Sequence, residues 1–141
     1  AENADKFTTA EAVKGATVVA EKKSAGEEVA QSDDFFKQAT YVSVDSQAKA
    51  LLEVKSGTAD IAVIDYVMSI GTLKDGSDYS NLSVIEDKSF APEQYGVALR
   101  KDSTETLAKL DDAMQALADN GELEKIADKY NLKDLLLIKA K

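Results

Sequence analysis

The chain has 141 residues, 44% of them hydrophobic and 30% charged, which fits one globular domain and excludes both a disordered tail and a membrane-embedded protein. Its 26 Asp and Glu outnumber 17 Lys and Arg, leaving a net charge of −9, so a phosphate backbone would be repelled and nucleic acid is excluded as a partner. With no Cys and no His, thiol chemistry, zinc–thiolate sites, serine–histidine triads and histidine acid–base catalysis drop out together, and neither cofactor nor metal is expected.

The N-terminal AENADKFTTAEAVKG has neither a basic n-region nor an apolar h-region, and no apolar run approaches the roughly 18 residues of a membrane span. The chain is expected to be mature or cut. Thr8 followed by Glu11 has capping-box spacing and predicts a short helix closed by Gly15, ahead of a β-branched strand at Ala16–Ala20. Ser24 with Glu27 repeats the box and predicts a helix through Val29 and Ala30, weakened at Gln31–Asp34 before Phe35 and Phe36. A second strand is expected at Thr40–Val44. After it, Asp45 and Ser46 are N-cap candidates for a helix with Ala48, Leu51, Leu52 and Val54 on its apolar face, ended by Gly57.

Ile61–Ile64 is a continuous apolar run, the mark of a central strand covered on both faces, and it delivers Asp65 at its C-terminal edge. The α-β alternation from Thr8 to Asp65 predicts a parallel sheet flanked by helices, an α/β fold whose ligands collect outside the carboxyl ends of the strands. Ser24 and Asp65 both lie at such ends. Tyr66–Gly71 can open another helix, Lys74–Asp78 is a polar turn, and Pro92 sits in a loop. Tyr95–Leu99 reads as one further strand. From there the pattern is helical: Asp102 and Glu105 open a helix whose Leu107, Leu110, Met114 and Leu117 form one apolar stripe. Asn120–Gly121 stops it, and a second helix follows with Leu123, Ile126, Ala127 and Tyr130. Leu132–Ile138 has too little periodicity to assign.

Four segments carry a family resemblance: VKGATVVAEKKSAGEE (13–28), VDSQAKALLEVKSGTADIAVID (44–65), EQYGVALRKDS (93–103) and DAMQALADNGELEKIADKY (112–130). In this order they resemble the bacterial extracellular solute-binding proteins of polar amino-acid ABC transporters, family 3, with the bilobed periplasmic-binding-protein type II fold. The resemblance implies that residues 1–94 hold the second, ligand-binding lobe. Residues 95–141 would supply a return hinge strand and C-terminal helices belonging to the first lobe. That lobe, with the Arg that clamps the ligand carboxylate, is expected to be largely missing, since the sole arginine, Arg100, does not match the clamp. The chain would be a truncated fragment with little or no affinity alone, and the stripe on the C-terminal helices would need cover, from folding back or from a second chain in a homodimer.

The resemblance implies ligand roles for four residues. Asp65 matches the Asp that receives the α-ammonium group, although a strand-end Asp also serves as an ordinary helix cap. Ser24 matches the hydroxyl residue that meets the ligand carboxylate, with the amides of Ala25 and Gly26 as further donors at a positive helix end. Where the family pattern has Gly, this chain has Lys23. Asp45, Ser46 and Gln47 are sufficiently explained as a helix start, and Asp33–Asp34 and Asp111–Asp112 as solvated faces.

The expected function is thus amino-acid binding for an ABC importer, without catalysis, in an extracytoplasmic location, periplasmic or lipid-anchored, with the transporter's membrane subunits as partners. Two other classes stay open. Some dehydratases and cell-wall lyases share the fold and use carboxylates in the same cleft, and an interaction module would dimerise through the surfaces that the first lobe covers.

Overall fold

Three parallel strands and the helices on both sides of them form the first part of the chain in a computed structural model that describes residues 4–85, 88–90 and 92–141. The strands are β1 (Thr17–Glu21), β2 (Thr40–Val44) and β3 (Ile61–Val63). Their spatial order is β2-β1-β3, with β1 in register from Thr17↔Thr40 to Glu21↔Val44 on one side and from Val18↔Ile61 to Ala20↔Val63 on the other. Parallel neighbours need crossovers. Helix α1 (Ala25–Ser32) joins β1 to β2, and α2 (Gln47–Ser56) joins β2 to β3.

Side chains alternate across a strand, so β1 presents Val18 and Ala20 to one face and Val19 to the other. Val18 and Ala20 pack with Val29 and Ala30 of α1, with Ile61, and with Phe7, Val13 and Phe36. Val19 packs with Ala50 of α2 and Ala59. The two helices therefore cover opposite faces, the layout of a doubly wound α/β lobe. β1, not Ile61–Ile64, is the central strand. An apolar run reports that both faces are covered, not how many neighbours a strand has, and β3 is a three-residue edge of this sheet with Ile61 buried and Ala62 and Val63 half-buried.

Local signals set the helix limits. Ser24 and Ser46 cap α1 and α2 by accepting the N–H of Glu27 and Lys49, both at 3.1 Å. Gly57 closes α2 at φ 77°, a left-handed stop that favours glycine. The buried residues of α2 are Ala50 and Leu51, whereas Leu52 is exposed, so its inner face is rotated from the expected one. α1 stops at Ser32 and yields to a 3-10 turn at Asp34–Phe36, capped by Asp33 Oδ1 accepting from Phe35 N–H at 2.8 Å.

The expected helix at Thr8–Gly15 is absent. A 3-10 turn at Ala4–Phe7 is followed by successive turns, in which Thr9, not Thr8, accepts the N–H of Ala12, while Val13 is driven fully into the core. Beyond β3, α3 (Tyr66–Thr72) leads into turns, and Phe90 returns to stack on Phe35 and Phe36 at centroid separations of 5.7 and 5.3 Å.

The chain divides into two compact units, Ala1–Pro92 and Glu93–Lys141. The second unit is the C-terminal helical tail: α4 (Thr104–Asp119), α5 (Glu122–Lys129) and a 3-10 turn at Lys133–Leu135. No strand forms at Tyr95–Leu99, where Tyr95 and Val97 are exposed. A short apolar segment becomes a strand only where a neighbour takes its backbone bonds. Asp102 does not cap α4 either; Ser103 precedes it without a side-chain bond, and Asp102 lies beside Arg100 at 3.9 Å, both exposed. Along the α4 stripe Leu107 is 45% exposed, and Leu110, Met114 and Leu117 are half-buried.

Candidate functional site

The connection leaving β1 runs to β2, while β3 lies on β1's other side and hands the chain to α3. Adjacent strands whose connections depart in opposite directions leave a crevice at their carboxyl ends, where ligands of open α/β sheets bind. Ala20 pairs with Val63. Ser24 follows on one side of this crevice and Asp65 on the other, so the fold brings the two principal candidates to the same edge of neighbouring strands.

Gly26 makes that closeness tight. A Cβ on Gly26 would stand 2.8 Å from the carbonyl oxygen of Val63, inside any real contact distance, so only glycine lets the first turn of α1 lie on the end of β3. Ser24 accepts from Glu27 N–H and donates its hydroxyl proton to the carbonyl of Glu21 at 2.7 Å. The expected box is shifted by one residue: Glu27 Oε2 accepts the N–H of Lys23 at 2.6 Å, and its Oε1 accepts the hydroxyl of Tyr41 at 2.8 Å. Those bonds from the Lys23 amide and Tyr41 hold the Glu27 carboxyl below its ordinary range against an opposing desolvation, with lesser help from the charges of Lys22 and Lys23. Burial, then the bond to Glu27 and its charge, pushes the Tyr41 phenol up to about 12.

Lys23 adopts φ 63°, a left-handed conformation that suits the glycine of the family pattern. The Glu27 carboxylate accepts the N–H of this left-handed residue.

Asp65 is the N-cap of α3, and its Oδ1 accepts the N–H of Met68 at 2.8 Å, so the cap role read from the sequence is filled. Its own N–H donates to Oε1 of Gln47 at 2.9 Å. Ser46 is the N-cap of α2 as expected, but Gln47 does more than open a helix, because it reaches the candidate ligand residue. The sequence carries no signal for that contact: it joins positions 18 residues apart through a long side chain on an unremarkable helical turn. Among the described residues no cluster of three Asp or Glu could hold a metal ion, and no helix is long and apolar enough to cross a membrane.

No family model matches the chain. The arginine-binding extracellular protein ArtP of Bacillus subtilis is 36% identical over 78 residues, a match that covers 55% of this chain and 30% of ArtP. The amino acid ABC transporter substrate-binding protein AbpA of Streptococcus pneumoniae, solved with L-arginine, superposes with a TM-score of 0.67 at 23% identity, covering 94% of this chain and 54% of AbpA. The chain thus spans about half of the matched structure and under a third of the sequence relative. The sequence match bears out the resemblance to amino-acid solute-binding proteins, and the structural match bears out the fold, an α/β periplasmic-binding-protein-like lobe with a helical tail.

Proposed function

We propose, for a chain akin to the amino-acid solute-binding proteins of ABC importers, that it is an amino-acid-binding lobe that delivers its ligand to a transporter outside the cytoplasm and performs no chemistry. The observation that supports this reading is the pairing of unlike groups at one crevice: a carboxylate at the end of β3 and a capped helix N-terminus at the end of β1. A zwitterion needs an anion near its ammonium and donors near its carboxylate. Asp65 is proposed to receive the ammonium, and Ser24 with the amides of Ala25 and Gly26 to meet the carboxylate. The fold supports the same reading, because the neighbour sharing it was solved with L-arginine and the sequence relative is named for arginine. Arginine is therefore the first ligand to test.

A binding protein gains affinity by desolvating and pairing both charged ends of its ligand, and one lobe leaves part of the ligand in water. The chain alone is accordingly proposed to bind in the millimolar range, about 4 kcal/mol. Residues 95–141 are proposed to serve a first lobe, with the α4 stripe covered there; a dimer of the chain through that stripe is the competing arrangement.

Amide-resolved NMR of the chain during titration with L-arginine tests the assignment. Shifts concentrated at Ser24–Gly26 and Asp65, and lost in Asp65→Asn, are expected. Shifts at neither edge at saturating arginine, lysine or glutamine would overturn the binding reading. Turnover of a prephenate-like or peptidoglycan substrate would replace it with the enzymatic one.

A further inference from the structure

The side chain of Gln47 borders the proposed site without a role in it so far. It leaves the first turn of α2, beyond the end of β2, and reaches the exit of β3, although β1 separates these two strands. Strands two apart lie roughly 9–10 Å from one another, so a side chain of Gln length closes a gap that a shorter one leaves open. The N–H it accepts belongs to Asp65, the N-cap of α3, whose amide precedes the helix and has no acceptor within it. Gln47 and Asp65 are both half-buried. Such an amide, left without its partner, is costly and shifts to find another.

We propose that Gln47 is a positioning residue for ammonium recognition: its Oε1, bonded to Asp65 N–H, fixes the main chain from which the Asp65 carboxylate is presented. This rests on the reading that Asp65 receives the ligand's ammonium. Two bonds contribute to the orientation of Asp65. Gln47 holds its backbone from the β2 side, and Met68 N–H holds Oδ1 from α3, at 2.9 and 2.8 Å respectively. The extended backbone of Asp65, φ −64° and ψ 135°, is what both bonds require. The bond is made through the carboxamide oxygen, so the role belongs to the acceptor. Glutamate can supply that acceptor; methionine, of similar length, cannot.

The test is NMR titration of the chain with L-arginine, and with deamino-arginine, which lacks the α-amino group, for wild type, Gln47→Met, Gln47→Glu and Asp65→Asn. Gln47→Met is expected to move the Asp65 amide resonance as a lost hydrogen bond does, and to weaken L-arginine about tenfold. Deamino-arginine, already deprived of its partner for Asp65, loses nothing further in that variant. Gln47→Glu restores the Asp65 amide position and the arginine affinity, which separates positioning from mere folding damage. Unchanged arginine affinity in Gln47→Met, with Asp65→Asn impaired, would overturn the positioning role alone. Equal weakening of both ligands in Gln47→Met would also overturn it, by showing a general structural defect. Unchanged affinity in Asp65→Asn would instead remove the ammonium reading on which the proposal stands.

Discussion

The two units of the chain are built from sequence of similar regularity and reach very different degrees of burial. In Ala1–Pro92, β1 is covered on both faces, Val13 and Val18 are fully buried, and each crossover helix seats small or β-branched residues on the sheet. In Glu93–Lys141, α4 runs for 16 residues with the ion pair Lys109–Glu105 at 2.6 Å on its surface, yet only Ala118 and Ala127 are buried among the unit's described residues. Secondary structure in the second unit is set by local signals: Gly121 at φ 78° separates the helices, and Asn131 at φ 57° ends α5. Periodicity announces a face. It does not supply what covers that face.

The sharpest way to break this contrast is to truncate one leucine in each unit. Leu51→Ala, at a site 3% exposed in α2, is expected to cost about 2–4 kcal/mol in urea unfolding. Leu107→Ala, 45% exposed in α4, should stay within about 0.5 kcal/mol. A comparable loss at both would mean that the α4 stripe is covered in solution, and light scattering of the two variants would then say whether a second copy covers it.

Gly26→Ala probes the tightest approach in the first unit. The added methyl meets the Val63 carbonyl at 2.8 Å, so α1 or β3 must shift, at about 1–3 kcal/mol. The variant is expected to lower the thermal midpoint and to move the amide resonances of Val63 and Asp65 together; a shift confined to α1 would mean that its first turn can lift away from β3 without disturbing the site.

The pH dependence of the first unit follows from the Glu27–Tyr41 pair. The Glu27 carboxyl is depressed in the folded chain, so its contribution to stability is present above the ordinary carboxylate value and is lost as pH falls through the folded one. The Tyr41 phenol is raised to about 12, so its contribution is complete below pH 10, the unfolded value, and is lost as pH rises from about 10 to about 12. Tyr41→Phe should flatten the alkaline limb and leave its phenolate absorbance change missing from the titration. An unaltered alkaline limb in that variant would assign the loss to other groups.

The smallest effect is expected at Lys23. Replacing it with glycine relieves a left-handed backbone but adds freedom to the unfolded chain, and the balance should favour the variant by less than about 1 kcal/mol. A destabilised Lys23→Gly would show that the lysine side chain contributes more than its backbone conformation costs.

What the sequence disclosed, and what it withheld, follows the same division between local and distant causes. Ser24, Ser46 and Gly57 mark their helix ends because capping is decided within one turn, and Thr40–Val44 reads as a strand for the same kind of reason. At Thr8–Gly15 the capping-box spacing misleads, since Thr9 caps a turn that does not propagate. Gly15 donates its N–H to the carbonyl of Gln38 at 2.9 Å, so a partner 23 positions away competes with the helix. The strand expected at Tyr95–Leu99 has the right composition, yet the segment takes no strand conformation. At the candidate site, Ser24 and Asp65 stand at strand ends that alternation reveals. The requirement for glycine at position 26 and the reach of Gln47 are tertiary facts, fixed by how closely α1, α2 and β3 approach.

The stacking of Phe90 on Phe35 and Phe36 has a consequence for how the first unit withstands cleavage. Between Leu73 and Phe90 the described backbone consists of turns, bends and segments without regular structure, with Gly76 at φ 75° in the polar turn after Lys74, the kind of surface a protease enters. A nick there divides the polypeptide but not the packing, because Ile85 and Phe90 remain docked on the α1 side of the sheet and Lys88 stays over the ring of Phe35 at 5.1 Å. Trypsin cutting at Lys74 should therefore yield two peptides on a denaturing gel that still elute together from a sizing column. The aromatic cluster is in effect a clasp: it lets the connection be severed, lengthened or replaced while the sheet keeps both of its pieces.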